Sequence, residues 1–137
     1  MENLRLQWLT IPALLVLALL LLAPSGDILA QNKNKVDHVV LVHPEGEDCA
    51  TTPDTLRANN GQTIAFFAVS TDIVVSELNS KPKDRTGGKD LSADKERKAK
   101  TGEMTKKLKI KDDAKGFYQY KVVCGEMEDD PPAIIVD

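Results

Sequence analysis

The last 22 residues, GFYQYKVVCGEMEDDPPAIIVD (residues 116–137), decide the fold class. Side chains of a β-strand alternate between its two faces, so the first nine residues divide into two sets. The set predicted to face the core is Tyr118, Tyr120, Val122 and Cys124. An acidic turn with two prolines follows, and AIIVD closes the chain. The pattern predicts two strands joined by an acidic turn.

Short β-branched and apolar segments precede this ending at regular intervals. They are residues 36–43, 55–58, 62–70, 72–78 and 105–111. Turn-forming residues separate them: Pro44 is expected to end the first strand, and Asn59-Asn60-Gly61 tolerates the positive φ of a tight turn. Many short strands with turns at this spacing are typical of a sandwich. We therefore expect an all-β, Greek-key β-sandwich of about seven strands.

A charged insertion at residues 81–102 interrupts this pattern. Residues 81–111 contain twelve Lys or Arg against five Asp or Glu. Within the insertion, Ser92 could begin a short helix that runs to about Lys100, and Gly102 could end it. Such a helix would have little apolar surface, so we expect it on the surface of the domain.

The N-terminal 30 residues have the three-part plan of a secretory signal peptide. Arg5 precedes an apolar run at residues 8–23, and Pro24-Ser25-Gly26 follows. We expect cleavage after Ala30, with a cut near Gly26 as the alternative. The apolar run has 16 residues, whereas a bilayer-spanning helix needs about 20; an uncleaved membrane tether remains the other alternative.

The predicted organisation is therefore a signal peptide (1–30), a polar spacer (31–35) and one sandwich domain (36–137) in a secreted or periplasmic protein. Two cysteines remain after the signal, Cys49 and Cys124. Export exposes thiols to an oxidising compartment, so we expect these two to form a disulfide. Two unpaired thiols are the alternative.

Three motifs resemble the cupredoxins, the Greek-key family of blue-copper proteins. They are NNGQTIAF (59–66), KGFYQYKVVC (115–124) and PPAIIVD (131–137). In that family a glycine opens the penultimate strand, a cysteine ends it, and a histidine and a methionine follow in the next turn. The resemblance implies a cupredoxin-like sandwich over residues 36–137. An immunoglobulin-like domain is the second choice, since DDAKGFYQY is only loosely similar to that family's tyrosine corner and a core tryptophan is missing.

The copper ligands of the family do not carry over. A blue-copper centre needs two imidazoles, a thiolate and usually an axial thioether. The two histidines, His38 and His43, both precede the core strands, and Cys124 stands eight residues after Gly116, later than the family's cysteine. We therefore expect no type-1 copper site and no cofactor. His38, His43 and Met127 remain candidates for an atypical site, although His38 and His43 would face opposite sides of one strand.

The basic residues of the insertion are the remaining candidate site. They are Lys81, Lys83, Arg85, Lys89, Lys95, Arg97, Lys98 and Lys100. They could form an arm for an anionic partner, such as lipid headgroups, an acidic polysaccharide or an acidic protein, or simply a solubilising insertion. The net charge of −3 and the absence of aromatic residues from this segment argue against nucleic acid.

No arrangement of residues typical of a catalytic site is visible. The sequence therefore predicts an exported, non-catalytic binding or structural domain. The alternative function is periplasmic metal handling, with copper bound at an atypical site.

Overall fold

The structure is a computed structural model that describes residues 35–128 and 131–137. These residues contain eleven short strands and no helix. The strands are β1 (His38–Glu45), β2 (Asp48–Thr52), β3 (Thr55–Ala58), β4 (Thr63–Ala68), β5 (Ile73–Ser76), β6 (Glu96–Ala99), β7 (Leu108–Lys109), β8 (Gly116–Gln119), β9 (Lys121–Cys124), β10 (Met127–Glu128) and β11 (Ala133–Val136). The predicted signal peptide and residues 31–34 of the spacer lie outside the described residues.

The strands form three small sheets, with the orders β2-β1-β4-β7, β10-β9-β5-β6 and β3-β11-β8. The pairs β1/β4 and β3/β11 are parallel and the other pairs are antiparallel. Most neighbours in a sheet are distant in sequence, as Greek-key connections require. The predicted all-β architecture is confirmed. Eleven strands replace the expected seven because β2, β6 and β10 are additional and one expected strand divides into β8 and β9.

The core lies between the inward faces of these sheets. Along β8 and β9 the buried residues are those expected from alternation: Tyr118, Tyr120, Val122 and Cys124 are at most 1% exposed. The rings of Tyr120 and Phe66 pack with their centroids 5.4 Å apart and tilted by 58°, a favourable arrangement for aromatic pairs. Burial of each such large apolar side chain stabilises the fold by roughly 1.5–3 kcal/mol.

The segment from Gly116 to Cys124 joins two sheets. β8 pairs with β11, whereas β9 pairs with β5 and β10. Tyr120 lies at the break, and its backbone N–H donates to the Pro132 carbonyl over 3.1 Å. The change of partner at Tyr120 lets one extended segment close two sheets over the same core.

The first strand does not end at Pro44, so that expectation was wrong. β1 continues to Glu45 and turns back at Gly46, where φ is +66°, into β2. Proline lacks an N–H donor and is tolerated where a strand has a neighbour on one side only. The pairing of β1 with β4 ends at Val42, so at Pro44 only β2 remains alongside.

The expected short helix at residues 92–100 was also wrong, because strand β6 takes its place. β6 pairs antiparallel with β5, from Ile73 opposite Ala99 to Ser76 opposite Glu96. Ala99 is buried, whereas Glu96 and Lys98 face solvent. An exposed helix would bury little apolar surface, but a strand here satisfies backbone hydrogen bonds along β5. Ser92 does accept a backbone N–H bond, from Asp94 at 3.2 Å, but in a turn.

The rest of the charged insertion is packed onto the sandwich. Leu91 of the insertion is fully buried, as is Leu78 just before it. The Leu91 N–H donates to the Ser80 carbonyl over 3.0 Å, and the Leu91 carbonyl accepts from the Lys111 N–H over 2.9 Å. The cations of this segment therefore protrude from an anchored loop and from β6.

Candidate functional site

A disulfide joins β2 to the end of β9. Cys49 and Cys124 are fully buried, their Cα atoms are 5.6 Å apart, and 75 residues separate them in the chain. The predicted pairing is confirmed. Cys124, the residue at the position most similar to a copper-binding cysteine, therefore has its sulfur in a covalent bond and offers no thiolate.

Met127 stands directly across the β9–β10 hairpin from Cys124. Its side chain is half-buried and packs against the hydrophobic core. Gly125 makes the tight turn between them with φ +61°, and its N–H donates to the Asp72 carbonyl over 3.0 Å. The neighbouring Cys and Met of the sequence thus face each other in a hairpin, where Met127 serves as an apolar packing residue.

The two histidines are separated and hydrogen-bonded. His38 Nε2 lies 2.9 Å from Gln62 Oε1. His43 Nδ1 lies 3.3 Å from the Pro44 carbonyl and can donate to it, and Nε2 lies 3.3 Å from the Thr52 hydroxyl. His43 shares the outward face of β1 with Val39 and Leu41, whereas the parity of His38 places it on the opposite face. Within the described residues, no three His, Cys, Asp or Glu side chains are grouped so as to hold a metal ion.

The eight cations predicted for an anionic partner fall into two groups. Arg97 pairs with Asp94, and Lys98 pairs with Glu96 at 3.1 Å. The other six residues are exposed: Lys81, Lys83, Arg85, Lys89, Lys95 and Lys100. Their exposure leaves their charge available at the surface of the domain.

Residues 83–89 form a loop that is fixed to the start of β8. The Lys83 N–H donates to the Phe117 carbonyl over 2.7 Å. The Thr86 hydroxyl donates to the Lys115 carbonyl over 3.0 Å. Gly88 passes so near this carbonyl that a Cβ atom there would lie 2.2 Å from it. The backbone of Lys115 therefore lies beside the loop that carries Lys83, Arg85 and Lys89, and we call these four exposed cations the loop cluster.

Asp84 is the hydrogen-bond acceptor at the centre of this loop. Its carboxylate accepts the N–H of Thr86 at 3.2 Å and the N–H of Phe117 at 2.9 Å. Desolvation acts to raise the pKa of Asp84, but the hydrogen bonds from Thr86 and Phe117 outweigh it and hold the pKa below its ordinary value. The carboxylate thus fixes the backbone that carries the four cations.

The Tyr118 hydroxyl fixes the other end of the same loop. It donates to the Lys89 carbonyl over 2.7 Å and accepts from the Lys115 N–H over 2.9 Å. Desolvation raises the pKa of Tyr118, and the nearby Asp84 charge adds to this. The hydroxyl stays protonated at neutral pH and can therefore act as donor and acceptor together.

Lys115 was not among the predicted site residues. It lies outside the charged insertion and precedes the glycine that opens β8. The one sequence signal for its contact with the loop is Gly87-Gly88, since adjacent glycines permit a close backbone approach. Which backbone approaches them is settled only by the fold.

The described residues contain no helix, and therefore none that is long and apolar enough to span a bilayer.

No protein-family model matches the chain, and no curated protein sequence matches it. Among solved structures, the chain is similar to a purple cupredoxin from Nitrosopumilus maritimus, with 15% identity and a TM-score of 0.49 over 74% of this chain and 100% of that one. At this level the likeness concerns the fold and says nothing about a bound metal or an activity.

Proposed function

We propose that the protein is an exported, non-catalytic, cupredoxin-like domain that works by binding or as a structural element, without a type-1 copper site. The observation that carries the proposal is the buried bond between Cys49 and Cys124. A blue-copper centre needs a thiolate as its strongest ligand. Here the corresponding sulfur is used to link β2 to β9.

The histidines give independent support. A copper site needs two imidazoles that converge on one point. His38 and His43 lie on opposite faces of β1, and their nitrogens are within hydrogen-bond distance of Gln62, Pro44 and Thr52. Convergence of the two rings would require one of them to leave its strand face.

Metal analysis tests this proposal against metal handling, the alternative function. The purified protein is incubated with excess Cu(II), desalted and measured by elemental analysis, beside the variants His38→Ala and His43→Ala. We expect well under one copper per chain in all three samples, and no intense visible absorption from a copper–thiolate bond. One tightly held copper per chain, lost on substitution of either histidine, would establish the alternative.

Export is supported by the sequence pattern of residues 1–30 and agrees with a disulfide, which persists in oxidising compartments. N-terminal sequencing of protein expressed with its own leader tests it. We expect a mature N-terminus near Gln31 in the secreted or periplasmic fraction. An intact Met1 in the membrane fraction would instead establish the tethered form.

A second candidate activity is the binding of an anionic partner through the basic segment. It is favoured by the loop cluster, in which a loop fixed by Asp84 and Tyr118 carries exposed cations. A loop that is ordered before binding loses less entropy when a ligand binds. Reversal of charge at Lys83, Arg85 and Lys89 tests this activity, since it should weaken binding to a polyanion.

A further inference from the structure

The turn between β3 and β4 carries the dipeptide Asn60-Gly61. Its first residue is Asn59, whose carbonyl accepts the Gln62 N–H over 3.2 Å. Gly61 takes the third position with φ +77°, as a type II turn requires. Asparagine deamidates fastest when glycine follows it, because glycine has no side chain to hinder attack by its own nitrogen. The turn therefore holds a chemically labile amide at an exposed position.

The reaction involves the side chain of Asn60, the backbone nitrogen of Gly61 and water. The Gly61 nitrogen attacks Asn60 Cγ, and the new carbon–nitrogen bond closes a succinimide ring. The bond from Cγ to Nδ2 breaks, and Nδ2 leaves as ammonia with the proton that Gly61 gives up. Water then breaks either ring bond to the nitrogen, which yields aspartate or isoaspartate. Since Asn60 is exposed, water can reach the ring.

In the folded protein both nitrogens of this reaction donate hydrogen bonds to the residues that follow β7. The Gly61 N–H donates to the Ile110 carbonyl over 3.1 Å. Asn60 Nδ2 donates to the Asp112 carbonyl over 2.7 Å. Ring closure brings the Gly61 nitrogen towards Asn60 Cγ and releases Nδ2, so both bonds are lost on the way to it.

Gln62 holds the same turn closed from its other side. Its side-chain oxygen accepts the Asn59 N–H at 2.8 Å and lies 2.9 Å from His38 Nε2. Its backbone carbonyl accepts the Ile110 N–H over 2.9 Å. The turn is thus tied both to β1 and to the residues after β7. Because these contacts must open together, the reactive arrangement belongs to a locally opened minor state.

We propose that Asn60 is a site of spontaneous deamidation, that opening of this turn sets its rate, and that the products keep the turn from closing again. Aspartate at this position has an oxygen in place of Nδ2, next to the Asp112 carbonyl, which can only accept. Isoaspartate adds an atom to the backbone before Gly61, so the hydrogen bonds of the turn lose their register. This inference is independent of the function proposed above.

The charge of the products acts in the same direction. The Asp112 carboxylate lies close to the turn, since a Cβ atom on Gly61 would be 3.3 Å from its Oδ1. A second carboxylate beside it is repelled. Lys109, 3.7 Å from Asp112, offsets part of this repulsion. The pairing of β4 with β7 begins directly after the turn, at Thr63 opposite Lys109, so deamidation should loosen this edge of the sheet.

Peptide mapping by mass spectrometry tests the rate. The full chain is incubated at about pH 8, either native or reduced and unfolded in guanidinium chloride. In the unfolded chain, Asn60 should deamidate faster than Asn59 and Asn79, which are not followed by glycine. In the native protein the rate at Asn60 should be at least tenfold lower, because two hydrogen bonds of ordinary strength must break first. Equal rates in the two states would overturn the proposal.

Variants at the second set of contacts test whether the turn itself is the gate. Gln62→Ala removes the acceptor of Asn59 and the partner of His38, so it should raise the native rate at Asn60 severalfold and leave the unfolded rate unchanged. His38→Ala removes only one of the two contacts and should raise it less. Val74→Ala, in β5 of another sheet, is the matched control. A native rate that Val74→Ala raises as much as Gln62→Ala does would contradict local opening, and circular dichroism checks that each variant is folded.

Asn60→Asp tests the effect of the product. Its urea midpoint should be clearly lower than that of the wild-type protein, because it loses the bond to the Asp112 carbonyl and gains a repelling charge. Asn79→Asp adds the same charge at an exposed position in a different turn and should keep the wild-type midpoint. An unchanged midpoint in Asn60→Asp, or equal losses in both variants, would show that deamidation does not release this turn.

Discussion

Cys49 and Cys124 are 75 residues apart in the chain, yet their Cα atoms are only 5.6 Å apart and both residues are fully buried. The bond fixes β2, in the sheet built on β1, to β9, in the sheet built on β5. It therefore links two of the three sheets at the end of the domain where Met127 also packs. The position that resembles a metal ligand in the sequence is a cross-link in the structure.

Removal of this cross-link should destabilise the domain substantially. For a loop of this length, the chain-entropy model predicts a loss of about 4 kcal/mol in the free energy of unfolding, and native disulfides in small domains contribute about 2–5 kcal/mol. The double variant Cys49→Ala/Cys124→Ala leaves no free thiol and is the suitable comparison. Urea unfolding at pH 7 measures the difference.

Reduction of the wild-type protein provides the control for the same experiment. The reduced protein and the double variant should show similar urea midpoints, because both lack the cross-link. A loss smaller than about 1 kcal/mol in both would contradict a stabilising role for the bond.

Gly116, at the start of β8, should be intolerant of any side chain for two separate reasons. Its φ of +109° is rarely adopted by other residues, and a Cβ atom would lie 2.5 Å from Thr86 Oγ1 and 2.7 Å from the Asp84 carboxylate. We expect Gly116→Ala to lower the free energy of unfolding by about 3 kcal/mol or more. Denaturant unfolding monitored by circular dichroism measures this loss.

Gly87→Ala separates the two reasons. Gly87 has φ +77°, but a Cβ atom there would meet nothing within 4 Å. Gly87→Ala should therefore lower the free energy of unfolding only through backbone strain, by about 1 kcal/mol. Equal losses in the two variants would show that the contacts with Thr86 and Asp84 contribute nothing.

The parts of the fold that the sequence predicted are those set by local chemistry. β3 has the expected bounds, since turn residues follow it directly. The buried face of residues 116–124 follows from the period of two in a strand. β6 could not be predicted, because ERKA contains one small apolar residue and becomes a strand only by pairing with β5.

The same distinction between local sequence and tertiary structure applies to the candidate sites. The disulfide was predictable because two cysteines allow one pairing. Lys115 in the loop cluster was not, since its place depends on how closely Gly88 approaches the start of β8. Nor was the partial exposure of Val39 and Leu41 on the outward face of β1.

Asp84 should make the stability of the domain depend on pH in the acid range. Its pKa in the folded protein lies below the ordinary value because of hydrogen bonds from Thr86 and Phe117, which outweigh desolvation. The stabilisation is therefore complete above the ordinary carboxyl pKa and is lost as the pH falls through the lowered value. Asp84→Asn should flatten the acid limb of the stability profile, measured as urea midpoints from about pH 6 to pH 2.

Asp72 provides an internal comparison. Its pKa is also lowered, first by the Thr101 N–H at 2.9 Å and then by the Thr101 hydroxyl at 3.1 Å. Asp72→Asn should flatten the same limb, and the effects of the two variants should add, because the sites share no partner. A wild-type profile in Asp84→Asn would show that the carboxylate is not used to hold the loop.

Reversal of charge in the loop cluster should reduce binding to polyanions. Point substitutions are needed, because deletion of the segment would remove the buried Leu91 and strand β6. We expect the triple variant Lys83→Glu/Arg85→Glu/Lys89→Glu to bind dextran sulfate at least tenfold more weakly than wild type at low salt, because each cation near an anionic surface contributes about 1 kcal/mol. Fluorescence anisotropy at several salt concentrations measures the affinity.

A charge-matched variant separates the loop cluster from the net charge of the protein. Lys95→Glu/Lys98→Glu/Lys100→Glu changes the charge by the same amount along and beside β6. If the ordered loop is the binding surface, this variant should retain most of the affinity and the salt dependence of the wild-type protein. Equal losses in both triple variants would mean that long-range attraction alone drives binding. Wild-type affinity in the loop variant would exclude the loop cluster as an anion-binding surface.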